Sequence, residues 1–284
     1  MFSSVEELRA AIRGTEDPEL IEKTDEIIAA SRPAVGFLPA GDGADAPLGA
    51  SRVFGLPDVP QGFEWPTGHD GEPLFFLLQI DLGSLSELPL DTLSPEDPLR
   101  YLPQEGHMLL FGGSGRHEKC DAHAVKFLPP GQILVRTSMP EEVEEPDFIA
   151  IGGADALFKH GVLIEPEFGW DIPRWATEIY FEIVGEYGDL DDVYEELEME
   201  GGSAFDLVRL GGCHSGIGCD PAEDAAEFLE ATAPVSPAPT WHHLVTLDSD
   251  DGLGLCICDA GCFQVLVHSG DTKFAHTYAS TESS

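Results

Sequence analysis

The chain has 284 residues, 42% of them hydrophobic, with 53 acidic against 14 basic side chains and a formal net charge of −39. Such a field repels phosphate backbones and anionic lipid surfaces, which excludes nucleic acid and membranes as expected partners and favours a basic protein. No run approaches the about 20 apolar residues of a membrane span, and MFSSVEELRAAIRG lacks the basic flank and apolar centre of a signal peptide; the expected location is cytoplasmic.

Ser4 and Glu7 have capping-box spacing and predict a helix over 4–13. Asp17, with Pro18 at the first helical position, starts another. Its Leu20, Ile21, Ile27 and Ile28 share a face, and Arg32-Pro33 ends it. Residues 34–38 read as a strand and 39–48, small and Gly-rich, as a loop. Residues 53–66 carry too much Gly and Pro for a helix; Phe54, Phe63 and Trp65 should pin them to a sheet. Residues 74–80 are apolar throughout, as a strand buried on both faces would be. Four prolines make 84–103 irregular. A strand at 107–111 closes in Gly112-Gly113-Ser114-Gly115, a plain turn rather than an anion cradle. Segments 122–127 and 133–136 form a hairpin around Pro129-Pro130-Gly131.

Residues 140–146 are an acidic loop, and 156–165 fit neither helix nor strand clearly. Asp171-Ile172-Pro173 opens a helix carrying Trp175, Ile179 and Ile183. Another spans 190–199 and stops at Gly201-Gly202. Asp220-Pro221 caps a helix to about residue 231, and 235–239 is a Pro-rich connector. Three strands follow in succession, 241–248, 253–258 and 262–267, joined by an acidic Gly turn and by Asp259-Ala260-Gly261.

The passages 51–113 and 206–270 share an order of parts. Each has a basic residue before a Gly turn (Arg52, Arg209), an apolar run ending in a carboxylate (Asp81, Asp248) and a second apolar run. The expected fold class is α+β: mixed or antiparallel sheets in two loosely duplicated halves, with helices at the N-terminus and between the halves. The expected organisation is an N-terminal helical segment 1–33, a first β-rich half 34–150, a helical connector 151–204 and a second β-rich half 205–284, forming one compact unit.

Six cysteines in a reducing compartment are thiols, core residues or metal ligands rather than disulfides. Cys256 and Cys258 would share one side of a strand, with Cys258 opposite Cys262 across the turn. If the Gly-rich segment with Cys213, His214 and Cys219 packs over that hairpin, these six residues are candidate ligands for zinc, the one cofactor in question. The alternatives are that the thiols are small buried hydrophobes or that Cys258 and Cys262 form a cross-strand redox pair. Candidate binding residues are Arg52, Trp65, Gln79, Asp81, Arg209, Asp248 and Asp259. Each arginine can neutralise an aspartate of its own half, for example Arg52 with Asp81. No catalytic residue is assigned: GxSxG, HExxH and kinase patterns are absent.

SRVFGLPDVPQGFEWP, PLFFLLQIDL and LPQEGHMLLFGG, with the later LGGCHSGIG, WHHLVTLDSDD and CDAG, resemble the YwqG-like family of bacterial proteins of unknown function. The resemblance covers about residues 34–278 and implies an α+β fold with internal duplication, without an activity. The chain departs from the family pattern at Gly212-Cys213-His214 and Gly218, where Gly-Tyr-Pro and a nearby Gln are usual. It departs again at Ile257-Cys258-Asp259-Ala260-Gly261, where Trp-Gly-Asp-Ala-Gly is usual. Three readings stay open: a non-enzymatic binding or interaction protein, a zinc- or carboxylate-dependent enzyme with its site in the second half, and a small-ligand pocket between the two halves lined by Trp65, Gln79 and Asp81. Oligomeric state is not legible.

Overall fold

The structure, a computed structural model, describes residues 1–283 apart from 87–89, 96, 118–119, 153–154, 176, 186–189, 202–206, 217–218 and 233–239. Gly202, Gly218, the start of the second passage at 205–206 and the connector at 235–239 therefore lie outside the described residues.

Three helices open the chain: α1 (Val5–Gly14), α2 (Pro18–Glu22) and α3 (Thr24–Ala30). Ser4 and Asp17 cap as their sequence context predicts, accepting from Glu7 N–H and from Glu19 and Leu20 N–H. The single helix expected from Asp17 breaks at Lys23, where Thr24 turns its hydroxyl back onto Ile21 O. Then come β1 (Arg32–Asp42), β2 (Arg52–Val53), β3 (Asp58–Pro60), β4 (Phe75–Asp81), β5 (His107–His117), β6 (Cys120–Leu128), β7 (Leu134–Arg136), β8 (Ile149–Ile151), α4 (Asp155–His160) and β9 (Val162–Asp171). The rest is α5 (Glu178–Val184), α6 (Asp191–Glu200), β10 (Val208–Gly211), α7 (Pro221–Thr232), β11 (Trp241–Asp248), β12 (Leu255–Ile257), β13 (Cys262–His268) and β14 (Thr277–Glu282).

Helices packed on antiparallel strands make the protein α+β. Ten strands form one sheet in the order β14-β13-β11-β10-β1-β9-β2-β4-β5-β6, every described pairing antiparallel. Two long strands, β1 and β9, lie at the centre. Outward on either side follow a short strand with a buried arginine (β10, β2), an apolar strand ending in aspartate (β11, β4), and two more. β1 lies beside β10, and β9 beside β2. The outer strands meet through side chains: Thr281 donates to the Asp121 carboxylate at 2.6 Å, and His123 bonds Thr277 at 2.8 Å. The exposed edges that invite aggregation are thereby covered.

One face of the sheet is apolar. Val35, Phe37, Val53, Leu78, Ile80, Leu110, Val208, Val245 and Phe263 join a single cluster, each side chain contributing about 1.5–3 kcal/mol. Leu85, Leu90, Leu93, Leu99 and Leu102, in or beside short 3-10 turns at 82–85, 90–92 and 98–101, join the same cluster. The other face is covered in patches. α1–α3 pack with α5 and α6 around Leu8, Leu20 and Tyr194; α7 packs on Trp241 and Tyr278; Phe63 and Trp65 pack on Phe111.

Several sequence expectations change. Segment 151–204, expected to be helical, supplies β9, a central strand. β7 pairs with β3, not β6, so no hairpin forms around Pro129-Pro130-Gly131; the prolines offer no N–H to a continuing ladder. β5 runs through its glycines to His117 with a bulge. A Cβ at Gly112 or Gly113 would sit 2.7–2.9 Å from Leu77 or Leu74, so the glycines let those leucines close in. β12 leaves the main sheet and pairs with β8.

Candidate functional site

The polar residues on the patchwork face of the sheet are organised by its two buried arginines. Arg52 is 1% exposed and Arg209 fully buried. Cross-strand partners share a face, so Arg52 shares its side with Gln79, and Arg209 with Gly36 and Thr246.

Arg52 pairs with Asp58, not Asp81. The two meet at 2.8 Å, and Arg136 reaches the other carboxylate oxygen at 3.0 Å. β3 pairs with β7 at Asp58 and Arg136, which is what delivers both groups to Arg52. Asp58 also accepts Gly49 N–H, while its own N–H donates to Gln79 Oε1; Gln79 Nε2 donates to Ala50 O. Burial pushes the Asp58 carboxyl up, but Arg136, the Gly49 amide and Arg52 outweigh it and hold the group below its usual range. Burial pulls Arg52 down, against Asp58. Asp81 instead accepts Gly83 N–H and starts a 3-10 turn, while Trp65 donates to Leu74 O.

Arg52 also lines a cavity of about 260 Å³ with Gly43, Ala44, Leu56, Arg136, Lys159 and His160. Among the described residues, three cationic side chains and one imidazole line this wall, and no carboxylate does. Behind it Asp58 pairs with both arginines. Arg52 Nε and Nη1 are buried and make no hydrogen bond. Gly161 shapes the far wall. At φ +71°, a Cβ would lie 2.6–2.7 Å from Phe54 O and Val53 O, so only glycine lets the corner bearing Lys159 and His160 approach β2 this closely.

The second arginine has a similar partner set. Arg209 Nε lies 3.4 Å from Asp171, which Arg174 also holds at 3.1 Å. Cys213 N–H donates to the same carboxylate, and Arg209 donates to Cys213 O. Burial raises Asp171, but Arg174 and Arg209 prevail and keep it ionised. Burial raises Glu198 beside them to about 7, against the pull of Arg174. Asp248 is likewise raised by burial, opposed by Arg209 and Arg174. His243 is held neutral by burial and by Arg209, bonding Gly211 O through Nδ1 and Thr246 through Nε2.

The proposed thiol ligands serve separate partners. Burial pushes the Cys213 thiol up to about 12, and it contacts Ala30 O; His214 bonds Asp220 at 2.9 Å. Cys219 donates to Asp224, Cys256 contacts Cys258 O, and Cys262 is buried with its thiol well above its usual value. Because β12 pairs with β8, Cys258 does not sit across a ladder from Cys262. Cys258 takes φ +49°, the left-handed region that favours glycine, where the YwqG-like pattern has glycine. Asp259 is exposed in that turn. Cys120 Sγ approaches His123 Nδ1 at 3.8 Å, but Nδ1 already bonds Asp121 O and is no base for that thiol.

The sequence reading passed over His268, Asp271 and His276. Their donor atoms lie within 4.8 Å of one another, the one such metal-compatible grouping among the described residues. Two histidines and an aspartate within nine residues around Gly270 were the available signal. Arg136, Lys159 and His160 carried no local signal, since only the fold brings them to Arg52.

A family model described as a domain of unknown function, DUF1963, matches residues 51–280. The chain belongs to that family. The matched region of DUF1963 takes in both arginines, from β2 through most of β14. No curated protein matches the chain.

Proposed function

We propose that this DUF1963 chain is a non-catalytic binding protein that captures a small anion in the cavity of Arg52, Arg136, Lys159 and His160. One observation supports the reading: in a chain of net charge −39, three of fourteen cations line one cavity wall. A guanidinium fork matches carboxylate and phosphate oxygens. The volume falls below the about 300–1,000 Å³ of drug-sized ligand pockets, which suits a phosphate or a short carboxylate. The YwqG-like name, the internal duplication and a cytoplasmic setting belong to the same proposal. The sheet order that reads alike from both ends supports the duplication.

Isothermal titration of the full chain with inorganic phosphate, at constant ionic strength, tests this. Saturable binding that Lys159→Ala weakens at least ~10-fold is expected. No heat, or equal binding by the variant, overturns it.

A second reading is favoured by where the cations go. Arg52, Arg174 and Arg209 are turned inward onto aspartates, which leaves an acidic surface suited to a basic protein partner. Association with a basic protein that persists at about 0.15 M salt, beyond simple screening, would support it.

A further inference from the structure

We propose that the β13–β14 turn is a site for one divalent transition-metal ion, held by His268, Asp271 and His276. It involves none of the cysteines considered above and is independent of the anion cavity.

The donor set is built before any ion arrives. Asp271 is 7% exposed, and its carboxylate accepts Lys273 N–H at 3.0 Å and His276 N–H at 2.6 Å. These bonds close the turn and fix the carboxylate between the histidines. His268 Nδ1 lies 2.9 Å from Ser269 O, so it carries the proton and Nε2 keeps its lone pair. A backbone carbonyl on the second ring nitrogen is the usual orienting contact of a metal-bound histidine. Trp241 packs edge-on against the His268 ring at 5.6 Å and limits its rotation. His276 is the exposed member, 65% accessible, with its ring centre 5.1 Å from that of His268 and Nδ1 3.4 Å from Asp271.

Ligands at about 2.0–2.1 Å from a tetrahedral zinc lie about 3.3 Å apart. The three donors, within 4.8 Å, need about 1.5 Å of closure, which rotation of the exposed His276 side chain provides. Two imidazoles and one carboxylate leave at least one position for water. This set suits zinc, cobalt or nickel rather than calcium or magnesium, which prefer oxygen ligands.

The test is titration of the full chain with Co2+ alone, followed by its visible d–d absorption and by equilibrium dialysis. One ion per chain is expected, with a nitrogen–oxygen spectrum and no thiolate-to-cobalt charge-transfer band. His276→Ala, at an exposed position that leaves the fold intact, should weaken binding by more than the ~10–100-fold lost with an outer-layer partner. His276→Cys should restore binding and introduce the thiolate band. No binding, a thiolate band in the unaltered chain, or full affinity in His276→Ala overturns the proposal.

Discussion

Replacing Asp58 by Asn removes one charge and little volume, so it isolates the electrostatics of the Arg52 cluster. Asp58 is fully buried and compensates Arg52, itself 1% exposed, together with the half-buried Arg136. Breaking a buried ion pair from one side costs about 3–5 kcal/mol, because the remaining charge has neither water nor a partner. For a chain of this size about 2–4 °C accompanies each kcal/mol, so Tm should fall by roughly 6–20 °C. Urea unfolding gives the free energy directly. Phosphate separates the structural effect from the functional one. With the aspartate neutralised, a bound anion becomes the main counter-ion of Arg52 and Arg136. Added phosphate should therefore raise the Tm of Asp58→Asn more than that of the unaltered chain, at matched ionic strength. A loss under 1 kcal/mol would refute the claim that Asp58 holds the arginines. A normal loss with no extra phosphate response would leave the cluster structural and remove the anion from the argument.

Glu198 has a folded-state pKa raised to about 7, above its ordinary 4.5. Its protonated form is favoured by folding, so the penalty for ionising it is absent below about pH 4.5 and complete above about 7. Glu198→Gln should raise Tm at pH 8 by an amount equivalent to about 1–3 kcal/mol and leave it unchanged near pH 4.5, measured by thermal melts across pH. The thiols divide by burial: Cys219 and Cys258 are exposed, whereas Cys120 and Cys262 are buried. A colorimetric thiol reagent should modify the first two in the native state and reach the second pair only after denaturant is added, as mass mapping of the labelled peptides can check.

Much of the scaffold was legible because hydrophobic pattern and capping are local. Ser4 and Asp17 announced their helices, and the apolar runs at 75–81 and 241–248 became β4 and β11. Arg52 and Arg209 stood out as cations in an acidic chain, and both prove to be centres of buried clusters. Their partners were not legible. Asp58 is six residues from Arg52, but Arg136 is eighty-four away, and Asp171 lies on β9, where helix was expected. The cysteine expectation failed for a similar reason. It assumed that β12 would stay beside β13, and the ladder goes to β8 instead.

The sequence alone determined the class of fold, the positions of most helices and strands, and the scarcity of positive charge that makes each arginine conspicuous. Those properties depend on residues a few positions apart. Tertiary structure decided which aspartate meets which arginine, which cations share a cavity, and which thiols stay apart. Each depends on strand pairing between distant segments, such as β3 with β7 and β1 with β9, and a strand's local pattern does not say which distant strand it will join.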